Sequence, residues 1–351
     1  MPIITAEKLK ELSFRIFRAA GASDYEAEVV AEMLVKSNLA GHDSHGVIRI
    51  PQYVERIQNG EIRVNAEIRV VRETGTTALI DGNWGFGQVV ATKGMEIAIR
   101  KAEENSVGIV CAFNCNHVGR LADYATMAIK HDMIGVVTVN DGGANPHVAP
   151  WGGCTPILST NPLCFAIPAG KENPIIVDFA TSVVSAGKVK VKLNRGERTP
   201  EGWLIDANGN PTTDPKVLFY PPKGSLLPFG GIVGYKGYGL SIVVDVLSGA
   251  LSEAGCSDPH EARDSNGVFM MAIKISSFTS IDRFKEKVDK LIKDLKSSKL
   301  APGFSEVLIP GEPECKEETK RLKEGIFIED KTWNQIMDVV RRLNVELSDI
   351  L

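Results

Sequence analysis

The sequence predicts an α/β protein built from two or three domains. The chain has 351 residues, more than the roughly 250–300 residues at which a single core stops growing. Its two ends show helical periodicity, whereas residues 60–112 alternate short apolar runs with one helical segment. Because both ends are helical, we expect them to form one domain together, with the middle of the chain inserted between them.

Three helices are expected in the first sixty residues. Thr5 and Ser23 are residue types that cap helices, and each precedes a segment with apolar residues at helical spacing. Gly21 and Gly41 can end these two helices. A third helix should cover residues 47–57, with proline tolerated near its first turn.

The middle of the chain changes from helices to strands. Strands are expected at 67–73, 76–81, 107–112, 175–177 and 268–275. Helices are expected at 88–104, 121–131 and 238–254. Three lysines that alternate with valine predict one charged face of an exposed strand, namely Lys188, Lys190 and Lys192.

The C-terminal part is rich in charge and helical. One helix should follow Ser280, another should lie between Pro313 and Gly325, and a last one should span 332–343. We therefore expect a helical domain from residues 1–75 and 318–351, a middle domain from 76–121 and 238–317, and a smaller inserted domain from 122–237.

Composition and charge exclude several classes of protein. With 43% hydrophobic and 24% charged residues, the chain is neither disordered nor fibrous. A net charge of −4 gives no basic footprint for nucleic acid. We see no signal peptide and no apolar run of about 18 residues, so no membrane span is expected. The six cysteines are scattered over a long chain, which indicates reduced thiols and a cytoplasmic protein.

The segment GHDSHGVIRIPQY at 41–53 contains the most informative polar residues. His45, Arg49 and Tyr53 are spaced by four, which places them on one face if the segment is a helix. Histidine can carry a proton near neutral pH, and arginine can hold a carboxylate through two hydrogen bonds. The pattern suits a pocket for a small carboxylic acid. On spacing alone, a solvated helix face with His42 or His45 acting as a cap is the favoured interpretation.

A second candidate follows the buried strand at 107–112. His117 stands beside Gly119, where backbone can approach a ligand. Cys111, Cys115 and His117 could instead bind zinc, but they do not form a CxxC pair and no second pair follows. We therefore expect no metal. A loop histidine bonded to backbone is the remaining structural interpretation.

Four further places carry candidate residues, namely three glycine-rich turns and the strand end at Asp178. The run from Gly82 to Gly87 lies between a strand and a helix, but its glycines do not fit GxGxxG and no ribose-binding acid follows. It predicts a strand-to-helix turn and no standard Rossmann site. Asp178 ends a strand and could orient a histidine or cap a helix. Lys236 lies at the start of a helix, where backbone amides suit phosphate. Glu312 could cap a helix or bind ribose hydroxyls.

Several of these segments together resemble one family, the malate/L-lactate dehydrogenases of the non-Rossmann type. That family also contains sulfolactate dehydrogenase, ureidoglycolate dehydrogenase and a reductase of piperideine-2-carboxylate. The resemblance covers residues 5–345. It is carried by GHDSHGVIRIPQY at 41–53, NHVG at 116–119, STNPLCFAIP at 159–168, VDFATS at 177–182, GYKGYGLS at 234–241 and IPGEPE at 309–314.

The resemblance implies a homodimeric oxidoreductase that uses NAD or NADP. It implies that the middle domain binds the cofactor on a largely antiparallel sheet, which agrees with the absence of a Rossmann fingerprint. It also implies a helical domain formed from both chain ends and a smaller inserted domain.

Site residues are carried over motif by motif. The resemblance assigns acid/base work to His45 and Asp178, and in some members to His117. It assigns substrate binding to Arg49 and Tyr53. The cofactor contacts that it implies are Ser44, Gly119, Asp141, Asp178, Phe179, Ala180, Tyr235, Lys236, Pro310, Gly311 and Glu312.

The predicted reaction moves a hydride between nicotinamide and C2 of a small 2-hydroxy acid, with malate (oxaloacetate) or L-lactate favoured. Sulfolactate, ureidoglycolate or a cyclic imino acid are alternatives. We favour His45 as the acid/base, with His117 as its rival and Asp178 fixing the imidazole tautomer. Two other classes stay open: a metal-dependent hydrolase that uses His42, His45, His117 and Asp178, and a catalytically inactive ligand-binding member.

Overall fold

A computed structural model describes residues 2–142, 146–258, 260 and 263–347 of the chain. Its helices are α1 (Ala6–Ala19), α2 (Asp24–Leu39), α3 (Ile50–Gln58), α4 (Gly87–Asn105), α5 (Ala122–Ile129), α6 (Ala186–Asn194), α7 (Tyr235–Asp245), α8 (Ile281–Lys296), α9 (Glu312–Glu324) and α10 (Asp330–Leu343). Its strands are β1 (Ile3–Ile4), β2 (Arg69–Glu73), β3 (Thr77–Asp81), β4 (Val107–Cys115), β5 (Met133–Asp141), β6 (Leu163–Ile167), β7 (Ile175–Phe179), β8 (Leu204–Ile205), β9 (Pro211–Thr212), β10 (Ser225–Leu226), β11 (Asn266–Lys274) and β12 (Ile326–Phe327).

A seven-stranded sheet forms the centre of the protein, in the order β2-β3-β4-β11-β5-β6-β7. Within the described residues, only β3 and β4 run parallel, and every other neighbouring pair in this sheet is antiparallel. The prediction of a mixed α/β fold around a largely antiparallel sheet is confirmed. One face of the sheet is covered by α4 and α5, whose apolar side chains form a continuous core with β4, β5 and β11.

The helices of the two chain ends pack together beside this sheet. Thr5 and Ser23 cap α1 and α2 as expected, and Ser23 forms a reciprocal capping box with Glu26. β1 pairs antiparallel with β12, so that Ile3 lies opposite Phe327. The shared core joins side chains from both ends of the chain, among them Phe17, Ile326 and Ile336.

The sheet crosses the boundaries of the predicted domain division. β2 falls within 1–75, and β5, β6 and β7 fall within 122–237, yet all four belong to the central sheet. These strands appear in the sequence as short apolar runs, and their pairing partners are set by contacts with distant residues such as those of β11. The three ranges stay a prediction as domains. Strands β5, β6 and β7, which fall within the predicted inserted domain, belong to the central sheet.

Two local predictions are wrong. The alternating lysines lie in helix α6 and not in a strand. Only Val189 of that segment enters a core, which α6 shares with β8 and β10, while Val191 stays exposed. The third helix begins at Ile50, later than predicted. It is preceded by two short 3-10 turns, Asp43–His45 and Val47–Arg49, which are separated by Gly46 in an extended conformation. His45 therefore does not share a continuous helix with Arg49.

Strands β8, β9 and β10 form a separate three-stranded sheet that packs against α6, and we call this sheet and helix the smaller lobe. Its core includes Val148, Leu204 and Leu226. No helix in the described part of the chain is long and apolar enough to cross a membrane.

Candidate active site

A cavity of about 270 Å³ lies where the helical layer, the central sheet and the smaller lobe meet. The turn at 44–49 contributes His45 and Arg49, and the loop after β4 contributes His117. The smaller lobe closes the opposite side with Ala186 and Gly187 at the start of α6. The residues of the two best sequence candidates thus meet in one place.

The turn that carries His45 is held by α2. Asn38 accepts a hydrogen bond from the backbone N–H of Val47 at 2.8 Å and donates one to Asp43 at 2.6 Å. A side chain at Gly46 would collide with Asn38, since its Cβ would lie 2.2 Å from the amide oxygen. Glycine is therefore required here, and the break it makes in the helix turns His45 into the cavity.

His117 is held by a chain of buried polar groups. Its Nδ1 lies 2.6 Å from the hydroxyl of Tyr53, which accepts a hydrogen bond from Gln88 at 2.9 Å. The loop at 116–117 approaches α4 so closely that a Cβ at Gly87 would lie 2.2 Å from the Asn116 carbonyl oxygen. The predicted strand-to-helix turn at 82–87 is present, and its last glycine makes room for the loop of His117.

The two histidine rings stack, with centroids 5.5 Å apart and planes 22° from parallel. His45 bonds through Nδ1 to the Ser44 hydroxyl at 3.0 Å. Burial and then the positive charge of Arg49 lower the pKa of His45 to about 3. Burial, Arg49 and His45 lower the pKa of His117 well below its usual range. Both imidazoles are therefore neutral at pH 7 in the ligand-free protein.

These lowered pKa values predict an acid-sensitive fold. Below about pH 6.5 a histidine binds a proton in the unfolded chain but stays neutral in the folded protein. The free energy of unfolding therefore falls as the pH drops towards the pKa of the folded state. Each histidine contributes at most about 1.4 kcal/mol per pH unit. Urea unfolding between about pH 7 and pH 4.5 should lose stability less steeply in His45→Gln/His117→Gln than in the wild type. His131→Gln, at an exposed histidine, is the control, and equal slopes in all three proteins would contradict the prediction.

Arg49 is fixed by uncharged acceptors. Its Nε donates to the Ser44 carbonyl oxygen at 2.7 Å, and its Nη1 donates to Gln52 at 2.8 Å. Within the described ranges no acidic side chain is ion-paired with Arg49. The guanidinium thus keeps a positive charge that an incoming carboxylate can compensate.

A second arginine lines the cavity one helical turn beyond Gln52. Arg56 is paired with Asp264 and, more loosely, with Glu61 at 3.6 Å. Asp264 also lies against Asp141, whose carboxyl is buried and has one oxygen without a hydrogen-bond partner. Burial and the neighbouring Asp264 carboxylate raise the pKa of Asp141 well above its usual range, which favours its protonated form.

Asp178 lies in a separate hollow, which is lined by His42 and not by His45 or His117. Its Oδ2 accepts a hydrogen bond from the backbone N–H of Ala122, the first residue of α5, at 2.8 Å. The predicted orientation of a histidine by Asp178 is therefore wrong. Tyr53 contacts His117 and Ser44 contacts His45 in its place. Asp178 instead accepts a hydrogen bond at the start of a helix, as the capping alternative predicted, but this helix, α5, is distant from it in the sequence.

The hollow around Asp178 lies next to the cavity and shares the loops at 42–45 and 119–121 with it. His42 and Glu314 face each other across it at 3.3 Å, and Arg120 has a buried Nε without a partner. Pro310 and Gly311 form its far wall. Gly311 has a φ of +98°, and a Cβ there would lie 3.0 Å from Ile176.

The other predicted contact residues fall into three groups. Ser44, Gly119 and Asp141 line the cavity, and Phe179 lines the hollow with Asp178. Glu312, the first residue of α9, is buried. Its carboxylate accepts a hydrogen bond from the Ile309 N–H and forms an ion pair with Lys296. Ala180 follows β7, and Tyr235 and Lys236 begin α7 as exposed side chains, with Tyr235 against the ring of Trp151.

Two residues that line the cavity, Arg56 and Asp264, and one that bonds to Tyr53 behind it, Gln88, were missed from the sequence. Arg56 could have been found, since it continues the helical face of Arg49 and Gln52. Gln88 is a polar residue at the first turn of a helix, with no pattern that marks it. Asp264 lies in an irregular loop before β11, where spacing predicts nothing.

In the described ranges, no three His, Cys, Asp or Glu side chains are grouped so that they could hold a metal ion. His42 and Asp178 line the hollow, whereas His45 and His117 line the cavity. The four ligands of the hydrolase alternative are therefore divided between two places.

Comparisons with known proteins identify the family of the chain. A sequence profile described as malate/L-lactate dehydrogenase matches residues 4–337. The malate/(S)-sulfolactate dehydrogenase of Methanothermus fervidus is 40% identical over 99% of both chains. The malate dehydrogenase of Pyrococcus horikoshii is 40% identical over 98% of this chain and 96% of its own. The crystal structure of malate dehydrogenase from Entamoeba histolytica superposes with a TM-score of 0.94 at 32% identity, covering 99% of both chains. The chain belongs to the malate/L-lactate dehydrogenase family.

Proposed function

We propose that the protein is a nicotinamide-dependent dehydrogenase that interconverts a small 2-hydroxy acid and its 2-oxo acid, with malate or L-lactate as the substrates. The observation that carries this proposal is the cavity in which two neutral, stacked histidines adjoin an arginine without an acidic partner. A proton carrier and a carboxylate anchor are the two groups that such a reaction requires of the protein.

The residues present fit a nicotinamide dinucleotide. The cavity and the hollow adjoin through shared loops, as an elongated ligand requires, and Asp141 offers a buried oxygen without a partner to a carboxamide N–H. Asp178 and Glu314 in the hollow would accept hydrogen bonds from ribose hydroxyls. The bound nicotinamide supplies the hydride acceptor or donor.

Arg49 is the proposed anchor of the substrate carboxylate. Its guanidinium would hold that group through two hydrogen bonds and so fix C2 relative to the histidines. The same contact changes the proton chemistry. Because the charge of Arg49 lowers the pKa of both histidines, a carboxylate that compensates this charge raises both values. Substrate binding would thus prepare a histidine to accept a proton.

We propose His117 as the proton carrier, in place of His45. Its Nδ1 is engaged by Tyr53, which leaves Nε2 for the substrate. In oxidation Nε2 accepts the hydroxyl proton while Nδ1–H donates to the Tyr53 oxygen; in reduction the imidazolium returns the proton. Tyr53 lies behind His117 and is 2% exposed, so its proposed role is to position His117 and not to bind substrate.

Tyr53→Phe tests this role. The variant keeps the ring that packs near Phe17 but removes the acceptor for Nδ1–H, so kcat should fall about tenfold while KM for the acid changes less than about twofold. Steady-state kinetics at saturating cofactor would measure both constants. A rise in KM with kcat preserved would instead support the substrate contact that the family resemblance implies for Tyr53.

The proposed function is tested by binding and turnover. NADH and NADPH are titrated into the purified protein and binding is followed by fluorescence; pyruvate, oxaloacetate, sulfopyruvate and a cyclic imino acid are then added to the reduced complex. Binding of NADH followed by its oxidation with one of the 2-oxo acids is expected. Binding of neither nucleotide would overturn the proposal.

We also propose a homodimer in the cytoplasm. α7 and the turn that follows it carry several exposed apolar side chains, namely Ile242, Val243, Val246 and Leu251. Such a patch is typical of a protein–protein contact. Light scattering on the purified protein should give twice the mass of one chain.

A further inference from the structure

The two arginines of the cavity differ in the charge of their partners. Arg49 donates to a backbone carbonyl oxygen and to the side-chain amide of Gln52, which are both neutral. Arg56 is paired with the carboxylates of Asp264 and Glu61. Among the described residues that line the cavity, one cation is therefore available to a substrate anion and the other is already compensated.

Asp264 supplies that compensation from inside the cavity. It lines the cavity together with Arg56 and Asp141, whereas Glu61 lies outside it, half exposed. The loop of Asp264 is held by its neighbour Arg263, whose guanidinium lies 3.2 Å from the ring centroid of Trp84. Strand β11 begins two residues later and pairs with β4 and β5. Asp264 is thus fixed at both sides and is part of the wall.

Asp141 lies against Asp264, and burial together with the Asp264 carboxylate raises the pKa of Asp141 well above its usual range. The carboxylate of Asp264 is ion-paired with Arg56. Arg49 has only neutral acceptors among the described residues, so a substrate carboxylate bound there would have no such competitor. A second anionic group placed towards Arg56 would meet the carboxylate of Asp264, and like charges repel.

We propose that Asp264 is a specificity-determining residue that makes the site select 2-hydroxy and 2-oxo acids with a single anionic group. This inference rests on the proposed dehydrogenase function and narrows its substrate class. The preferred substrates are monocarboxylic acids of the lactate type, with a side chain that is apolar or that donates a hydrogen bond. Dianions such as malate or sulfolactate are disfavoured because Arg56 is occupied.

The test compares pyruvate and oxaloacetate as substrates of the full-length protein with saturating reduced cofactor. The wild type should have the higher kcat/KM for pyruvate. Asp264→Asn keeps the size of the side chain and removes its charge, so the ratio of kcat/KM for oxaloacetate to that for pyruvate should rise about tenfold or more. Glu61→Gln removes the other partner of Arg56 from outside the cavity and should leave this ratio within about twofold.

Two results would overturn the inference. One is a wild type that prefers oxaloacetate, and the other is an active Asp264→Asn variant with an unchanged ratio. Asp264→Ser is the second variant if the asparagine disturbs folding. Failure of the proposed function itself looks different, since a wild type that binds NADH but turns over no 2-oxo acid contradicts both proposals at once.

Discussion

Replacing His117 by glutamine is expected to lower kcat about 1000-fold, which makes it the most damaging single change in the cavity. Glutamine keeps a polar side chain of similar reach but cannot carry a proton at neutral pH. The hydroxyl proton of the substrate would then have no acceptor at the position where Tyr53 now fixes the imidazole. Cofactor binding should be unchanged, because His117 would act on the substrate.

The matched variant is His45→Gln. The ring of His45 stacks on His117, and among the described residues its side chain bonds only to Ser44. Its loss should therefore cost about tenfold in kcat through poorer packing of the neighbouring ring. Steady-state and single-turnover rates of both variants, measured in the oxidative and reductive directions, decide between the two histidines. If the larger loss follows His45→Gln, the proton carrier is His45, as the sequence alone favoured.

The second large effect is expected at Arg49. Arg49→Gln should lower kcat/KM for any 2-oxo acid about 1000-fold, since the substrate carboxylate loses its charged partner inside the cavity. Arg49→Lys keeps the charge but not the fork of donors and should lose less, about tenfold. NADH titration should give the same affinity in both variants, and Arg63→Gln, at an arginine bonded to Asn83 away from the cavity, should behave as wild type.

The pH dependence of kcat/KM in Arg49→Gln provides a second test. Arg49 lowers the pKa of both histidines, so removing its charge raises both values. For oxidation, which needs a neutral histidine, the acid limb of the kcat/KM profile should move to higher pH in Arg49→Gln. A loss of activity without this movement would mean that Arg49 binds substrate but does not set the histidine charge.

Local chemistry in the sequence predicted the helical parts of the fold well. The caps at Thr5 and Ser23 depend on neighbouring residues only, and both helices begin where these side chains predict. The alternation of Lys188 to Lys192 misled because burial of a single valine in the smaller lobe decides that segment. Which strand joins which sheet is a property of long-range pairing, and β11 shows this most clearly, because it lies between β4 and β5.

In the candidate site, too, residues marked by their local sequence could be predicted, whereas contacts between distant residues could not. His45, Arg49 and His117 were found because histidine and arginine beside glycine in loops are unusual enough to be noticed, and the cavity contains all three. Asp178 was misassigned because a carboxylate at the end of a strand can serve either an imidazole or a helix start, and only the fold chooses. The pairing of Arg56 with Asp264 joins residues far apart in the sequence, so no spacing could predict it.

The pairing of β1 with β12 has a consequence for how the protein is made. Ile3 is translated long before its partner Phe327, which lies far along the sequence. At about 5–20 residues per second, α1 to α3 must wait tens of seconds for the segment that completes their core. Meanwhile the strands of the central sheet can assemble. Asn38 can hold the turn of His45 and Arg49 early, but the helices on either side of this turn share their core with β12 and α10. A nascent chain stalled before β12 would therefore have its sheet, while the core that supports the substrate anchor would be unfinished.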